Sequence, residues 1–153
     1  MFHVGLCSAN GSGVVRDDWD AMEWYRAGTI AGSWTAAMAY AKLLNQHSDF
    51  ESCDEILDDA IKKGVVTAYY RLARYKYGRA PSRQTAREIR SLLDYAIANE
   101  HPGAEMFLSE LMTRGKFGLR NISGGVRLGV NCMNRYESEF SRTTDIDPAP
   151  AAL

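Results

Sequence analysis

The sequence predicts an all-α protein, an α/α superhelical solenoid of about four helix-pair repeats. Three observations predict it. Small and large apolar residues recur in a fixed order with a period of about 36 residues, the mark of a repeat architecture. Each recurrence starts at a residue type that caps helices: Asp17, Asp49, Thr85 or Asn121. Prolines number only 4 in 153 residues, so few positions interrupt helix.

Each copy can be followed in order. After Asp17, positions 4, 7, 11, 15 and 19 further on are Ala21, Trp24, Gly28, Gly32 and Ala36. From Asp49 the same steps reach Cys53, Ile56, Ala60, Gly64 and Ala68, and from Thr85 they reach Ile89, Leu92, Ala96, Glu100 and Ala104. From Asn121 they reach Gly125, Leu128, Cys132, Tyr136 and Phe140. The first three slots set small, large and small side chains on one helix face. Gly32 and Gly64 supply the left-handed residue that ends a helix. The closing alanine opens a second helix: Ala36 leads to Tyr40, Ala41 and Leu44, Ala68 to Leu72 and Ala73, and Ala104 to Leu108, Ser109 and Met112. Loops follow at 45–48, 78–82 and 115–120, the second repeat being shorter because its loop is trimmed.

The repeats lie at approximately 1–35, 36–67, 68–103 and 104–140, within one solenoid over 1–142. Residues 143–153, with Pro148 and Pro150 and little bulk, are expected to be disordered. The helix before Asp17 is a clipped version of the unit with Val4, Gly5 and Ser8 in its slots. Its outer edge has no preceding repeat, so a partner, a second copy forming a homodimer, or residues upstream of Met1 would cover it. At the other end, Tyr136 and Phe140 sit among Arg135, Glu137, Glu139 and Arg142, a polar-faced helix suited to capping the stack.

The string Gly11, Gly13, Val14, Asp17, Ala21, Trp24, then Gly32 and Ala36, resembles the Sel-one-like repeat, a relative of the tetratricopeptide repeat. The first copy matches closely. The second and third keep the alanines and lose the tryptophan and paired glycines, and the fourth retains Gly115, Gly118 and Asn121. The resemblance implies a scaffold that assembles complexes, in bacteria often around envelope, polysaccharide or secretion systems. It also implies that the first helix of each unit lines a concave surface.

Composition narrows the function. The chain is 46% hydrophobic and 24% charged with net charge −1, ordinary for a soluble domain. No apolar run approaches the ~18 residues of a membrane span, and Met1–Leu6 lacks the pattern of a signal peptide. Cys7, Cys53 and Cys132 are far apart and odd in number, which reads as three reduced packing thiols and a cytoplasmic location. Charge is divided: residues 1–60 hold 3 basic and 10 acidic side chains, and 61–120 hold 12 and 5. Such a dipole suits either steering of a charged partner or ordinary solvated helix faces.

No enzymatic chemistry is expected, and no cofactor or metal. Gly11-Ser12-Gly13 lacks the Gly-Lys-Ser/Thr of a phosphate loop. His3, His47 and His101 fall in different repeats, and no serine or cysteine has a catalytic motif around it. Some helical-repeat relatives are hydrolases, but those are cysteine-rich with a disulfide per repeat, from which this chain departs. A third reading is an immunity-like or antitoxin-like blocker, its acidic residues Asp17, Asp18, Asp20 and Glu23 facing a basic target.

The richest stretch for binding is Tyr69–Arg79, followed by Arg83, Arg87 and Arg90. Tyr70, Arg74 and Tyr77 form a helical stripe, with Arg71 beside it. Equivalent slots are Met38, Lys42 and Asn45 in one neighbouring repeat, and Met106, Glu110 and Thr113 in the other. Tyrosine and arginine are enriched at binding hot spots. A groove for a protein or peptide partner over Met38, Lys42, Tyr70, Arg71, Arg74, Tyr77 and Glu110 is therefore the leading expectation. Inter-repeat packing of Tyr69 and Tyr75 with solubilising arginines is the other. Arginine–aromatic interleaving also suits single-stranded nucleic acid, but a mildly acidic chain argues against a dedicated nucleic-acid binder.

Overall fold

A computed structural model describes residues 2–13, 15–80 and 82–144. Eight α-helices follow one another: α1 (Phe2–Asn10), α2 (Asp18–Ile30), α3 (Trp34–Gln46), α4 (Phe50–Lys62), α5 (Val66–Arg79), α6 (Arg83–Ala98), α7 (Pro102–Thr113) and α8 (Ile122–Thr144), the last preceded by a 3-10 turn at Leu119–Asn121. There is no strand among the described residues. Two compact units emerge, Met1–His101 and Pro102–Leu153, where the sequence reads as one continuous stack. In the first, each of α1 to α5 packs on the helix that follows it, the series ending at α6; in the second, α7 packs on α8. No described helix is long and apolar enough to cross a membrane.

The caps explain where the helices begin. Asp17 accepts from the Trp19 and Asp20 amides at 2.9 and 3.1 Å, and Asp49 accepts from Ser52 at 3.2 Å. Each such cap is worth about 1 kcal/mol. Two expectations need correction. Thr85 is not a cap: Ser82 is, accepting from the Thr85 amide at 3.0 Å, because either hydroxyl type can end the helix and Ser82 comes first. Asn121 does not cap α8 through its carbonyl; its amide nitrogen donates back to the Phe117 carbonyl at 2.7 Å. Gly32 and Gly64 adopt the expected left-handed backbone, with φ of 84° and 79°. Glu100, in the same slot of the third copy, adopts it too, at φ 58° without glycine. Tyr136, in that slot of the fourth copy, lies inside α8 and makes no turn.

The repeat slots sort cleanly by burial. Four residues after each start lie Ala21, Cys53, Ile89 and Gly125, and eleven after lie Gly28, Ala60, Ala96 and Cys132; all are buried. The large core residue, however, is one place later than expected. Tyr25, Leu57 and Leu93 are buried, while Trp24, Ile56 and Leu92 are only partly covered. Slots 4, 8 and 11 form one i, i+4, i+7 stripe, so the helix turns that row toward its neighbours. The closing Ala36, Ala68 and Ala104 are buried as expected, whereas the Phe140 side chain lies outside the described residues.

The main core joins α3, α4 and α5 through Ala37, Ala41, Leu44, Cys53, Leu57, Ala60, Ala68 and Leu72. Burying a leucine such as Leu57 contributes roughly 1.5–3 kcal/mol. The Cys53 thiol donates to the Ala41 carbonyl at 3.2 Å, and burial pushes its acidity down. On α1, Gly5 and Ser8 are buried as expected, but Val4 is 44% exposed. At the other end α8 reaches Thr144, so the first two residues of the expected tail are helical, while 145–153 lie outside the described residues.

Candidate partner-binding groove

The odd-numbered helices α1, α3 and α5 share one groove of about 410 Å³. Helical spacing builds it. Phe2, Leu6 and Ala9 lie along one face of α1; Thr35, Met38, Ala39 and Lys42 along one face of α3; Thr67 and Arg71 a turn apart on α5. The ring of Tyr25, buried on α2, closes the floor. Gly5 lets α1 come this close, since a Cβ there would sit 2.8 Å from the Tyr25 ring. The floor is apolar and two cations, Lys42 and Arg71, stand in its wall. Convergent polar groups over an apolar concavity are the usual form of a binding site.

Three of the expected binding residues meet there: Met38, Lys42 and Arg71. Met38 is 94% covered, so it serves as floor rather than as an exposed contact, a correction to its expected place on the surface stripe. Its carbonyl accepts from Arg71 Nη1 at 3.2 Å, which ties α5 to α3 across the groove. Lys42 is exposed and forms no ion pair among the described residues.

Tyr70, Arg74 and Tyr77 do not line this groove. Tyr70 stacks on His101 with ring centroids 4.5 Å apart, and Arg74 reaches back along α5 to donate to the Tyr70 hydroxyl at 3.2 Å. His101 is held below the ordinary imidazole range by burial, with the Arg71 charge adding to the effect against an opposing backbone hydrogen bond. Its Nδ1 is buried without a hydrogen-bond partner among the described residues. Tyr77 is half-buried on α5. Glu110 belongs to the second compact unit, where it pairs with Arg114 at 2.9 Å.

Packing claims the other tyrosines. Tyr69 stacks on Tyr95 of α6 at 4.0 Å, and Tyr75 packs against the α3–α4–α5 core. Arg79 is the hub of that region: it donates to Asp54 at 2.7 Å and Asn45 at 2.9 Å, and lies 4.4 Å over the Phe50 ring. The acidic residues of α2 are likewise engaged. Asp17 caps the helix, Asp18 takes both Arg16 nitrogens, Asp20 accepts from Ser8, and Glu23 pairs with Arg26. The histidines sit in three separate places, and among the described residues no three His, Cys, Asp or Glu side chains converge. All three cysteines are free.

Sequence reasoning missed Phe2, Leu6 and Tyr25 as groove residues. The i, i+4 spacing of Phe2 and Leu6 was the available sign, but it becomes a wall only once α1 is set beside α3. Comparison of the chain with family models, with curated proteins and with solved structures finds no match.

Proposed function

We propose that the chain is a non-enzymatic adaptor or regulator of the Sel-one-like kind that holds a partner protein or peptide in the α1–α3–α5 groove. The observation that carries this reading is the groove itself: about 410 Å³ with an apolar floor and two cations, built from α1, α3 and α5. Tyr70, Arg74 and Tyr77, on the same helix as Arg71 but outside the groove lining, belong to the same reading as a second contact area. The free thiols suit a cytoplasmic setting. Self-association through α1 belongs to the same reading, since Val4 and Leu6 are 44% and 39% exposed there.

Photo-crosslinking in the source cell tests it. A benzophenone amino acid replacing Lys42 is expected to capture a partner that the same group at Lys62, exposed on α4, does not. Adding Thr35→Trp, which fills the groove from an exposed lining position, is expected to abolish capture. Equal capture from both positions, or capture that survives Thr35→Trp, removes the groove as the binding site.

A further inference from the structure

We infer that the segment held in the groove is acidic as well as apolar: a partner peptide in which Leu- or Phe-type side chains alternate with Asp or Glu. This rests on the groove reading above and goes further by naming the chemistry of the occupant.

Charge sorting among the helices carries the inference. The three groove helices α1, α3 and α5 contain no Asp or Glu, yet they carry Lys42, Arg71, Arg74, Lys76 and Arg79. The acids of the same unit's helices all lie on α2, α4 and α6, with five on α4 alone. A surface shaped only for solubility mixes both signs. Here the solvent-facing places on α3 are filled by the neutral Trp34, Thr35 and Gln46 and the cation Lys42.

Four of these five cations divide into two sets, while Arg74 donates to the Tyr70 hydroxyl. Arg79 is neutralised by Asp54 and Lys76 by Glu88, both supplied by even-numbered helices. The two that line the groove have no such partner: Arg71 donates to a neutral carbonyl, and Lys42 forms no ion pair among the described residues. A positive wall is therefore left over at the place where the apolar floor opens. Leu6, 39% exposed, and Phe2 offer that floor to apolar side chains. Carboxylates spaced between apolar anchors satisfy both halves at once. A polyphosphate satisfies only the charge, and its affinity grows with the number of phosphates neutralised; two wall cations favour the peptide.

The experiment uses the whole chain and three fluorescein-labelled peptides read by polarisation: Glu-Leu-Asp-Phe-Glu-Leu-Asp, and its versions with glutamine or lysine at every acidic position. The acidic peptide is expected to bind, weakening about tenfold on Lys42→Glu and as salt rises, with no change on Lys62→Glu. The lysine peptide is expected not to bind. Lys42 is exposed, so its reversal spares the core; Arg71→Gln is the second variant, with helical circular dichroism showing that each is folded. Glutamine and acidic peptides binding alike, insensitive to salt but lost on Thr35→Trp, overturn the acidic occupant while leaving the groove. Weakening by Lys62→Glu equal to that by Lys42→Glu, no binding by any peptide, or displacement of the acidic peptide by a stoichiometric oligo-dT strand each overturn the inference too. In those cases the crosslinking at Lys42 decides the groove separately.

Discussion

The two compact units differ in how closely glycine lets their helices approach. In Met1–His101 alanines fill the helix interfaces, among them Ala21, Ala41, Ala60, Ala68 and Ala96, all wholly buried. Glycine there serves turns, where Gly32 and Gly64 take a left-handed backbone, and also helix contacts, where Gly5 meets the Tyr25 ring and Gly28 is buried. In the second unit glycine takes interface slots that larger side chains fill in the first copy. Gly125 and Gly129 occupy the slots filled by Ala21 and Tyr25 in the first copy, and α8 closes the missing volume by lying directly on α7. Ser109 then reaches the Gly125 carbonyl at 2.8 Å. One repeat pattern thus supports two ways of packing: side chain against side chain, and backbone against backbone.

The sharpest way to break that contrast is Gly125→Ala. Its Cβ would lie 2.6 Å from Met112 Cβ and 2.7 Å from the Thr113 amide nitrogen, and a main-chain atom has little freedom to yield. Although alanine is the better helix former by about 1 kcal/mol, the change is expected to destabilise the α7–α8 pair by roughly 1–3 kcal/mol. Hydrogen exchange at Leu111 reads it, with Leu93 as the reference in the other unit. Unchanged protection at Leu111 would show that α8 is not seated on α7 in this way.

A smaller effect of opposite sign tests the turns. Glu100 holds a left-handed φ of 58° in the slot where Gly32 and Gly64 sit, which costs a side-chain-bearing residue about 1 kcal/mol. Glu100→Gly is expected to raise stability by up to that amount, less what the freer unfolded chain gives back. Denaturant midpoints with unchanged slope measure it, and a loss of stability would mean that the Glu100 side chain contributes something its backbone does not.

The smallest effect concerns acidity. The imidazole of His101 is depressed below its ordinary value of 6.5 in the fold, so the neutral form is the one the fold favours. Its contribution is fully present above that ordinary value and is lost as pH falls toward the lower folded value. Between about pH 7.5 and about pH 5.5 the native chain is expected to lose more stability than His101→Gln. Parallel pH profiles would refute burial of a neutral ring at Tyr70.

How far the sequence could be read follows from which interactions are local. Asp17, Asp49, Gly32 and Gly64 declare themselves because caps and left-handed turns involve only a few neighbouring residues. Ser82 and Thr85 do not, since two acceptors three residues apart are equivalent until the helix has docked. The shift from Trp24 to Tyr25 as the buried ring has the same origin: adjacent slots differ by a modest rotation, settled only by the helices on either side. Lys42 follows from the slot equivalent to Arg74 and Arg71 only as a neighbour of the Tyr70 stripe; spacing alone does not bring the two to one groove. The stacking of Tyr70 on His101 was not legible, because it joins a residue of α5 to one between α6 and α7 that belongs to no helical stripe.

Within each unit the helices rest on their chain neighbours, and this also sets how the chain acquires its structure. Contacts between chain neighbours close only short loops, so little entropy is lost before the first favourable burial is gained. Folding within Met1–His101 can start at any adjacent pair and spread by accretion, with the α3–α4–α5 core as the natural seed.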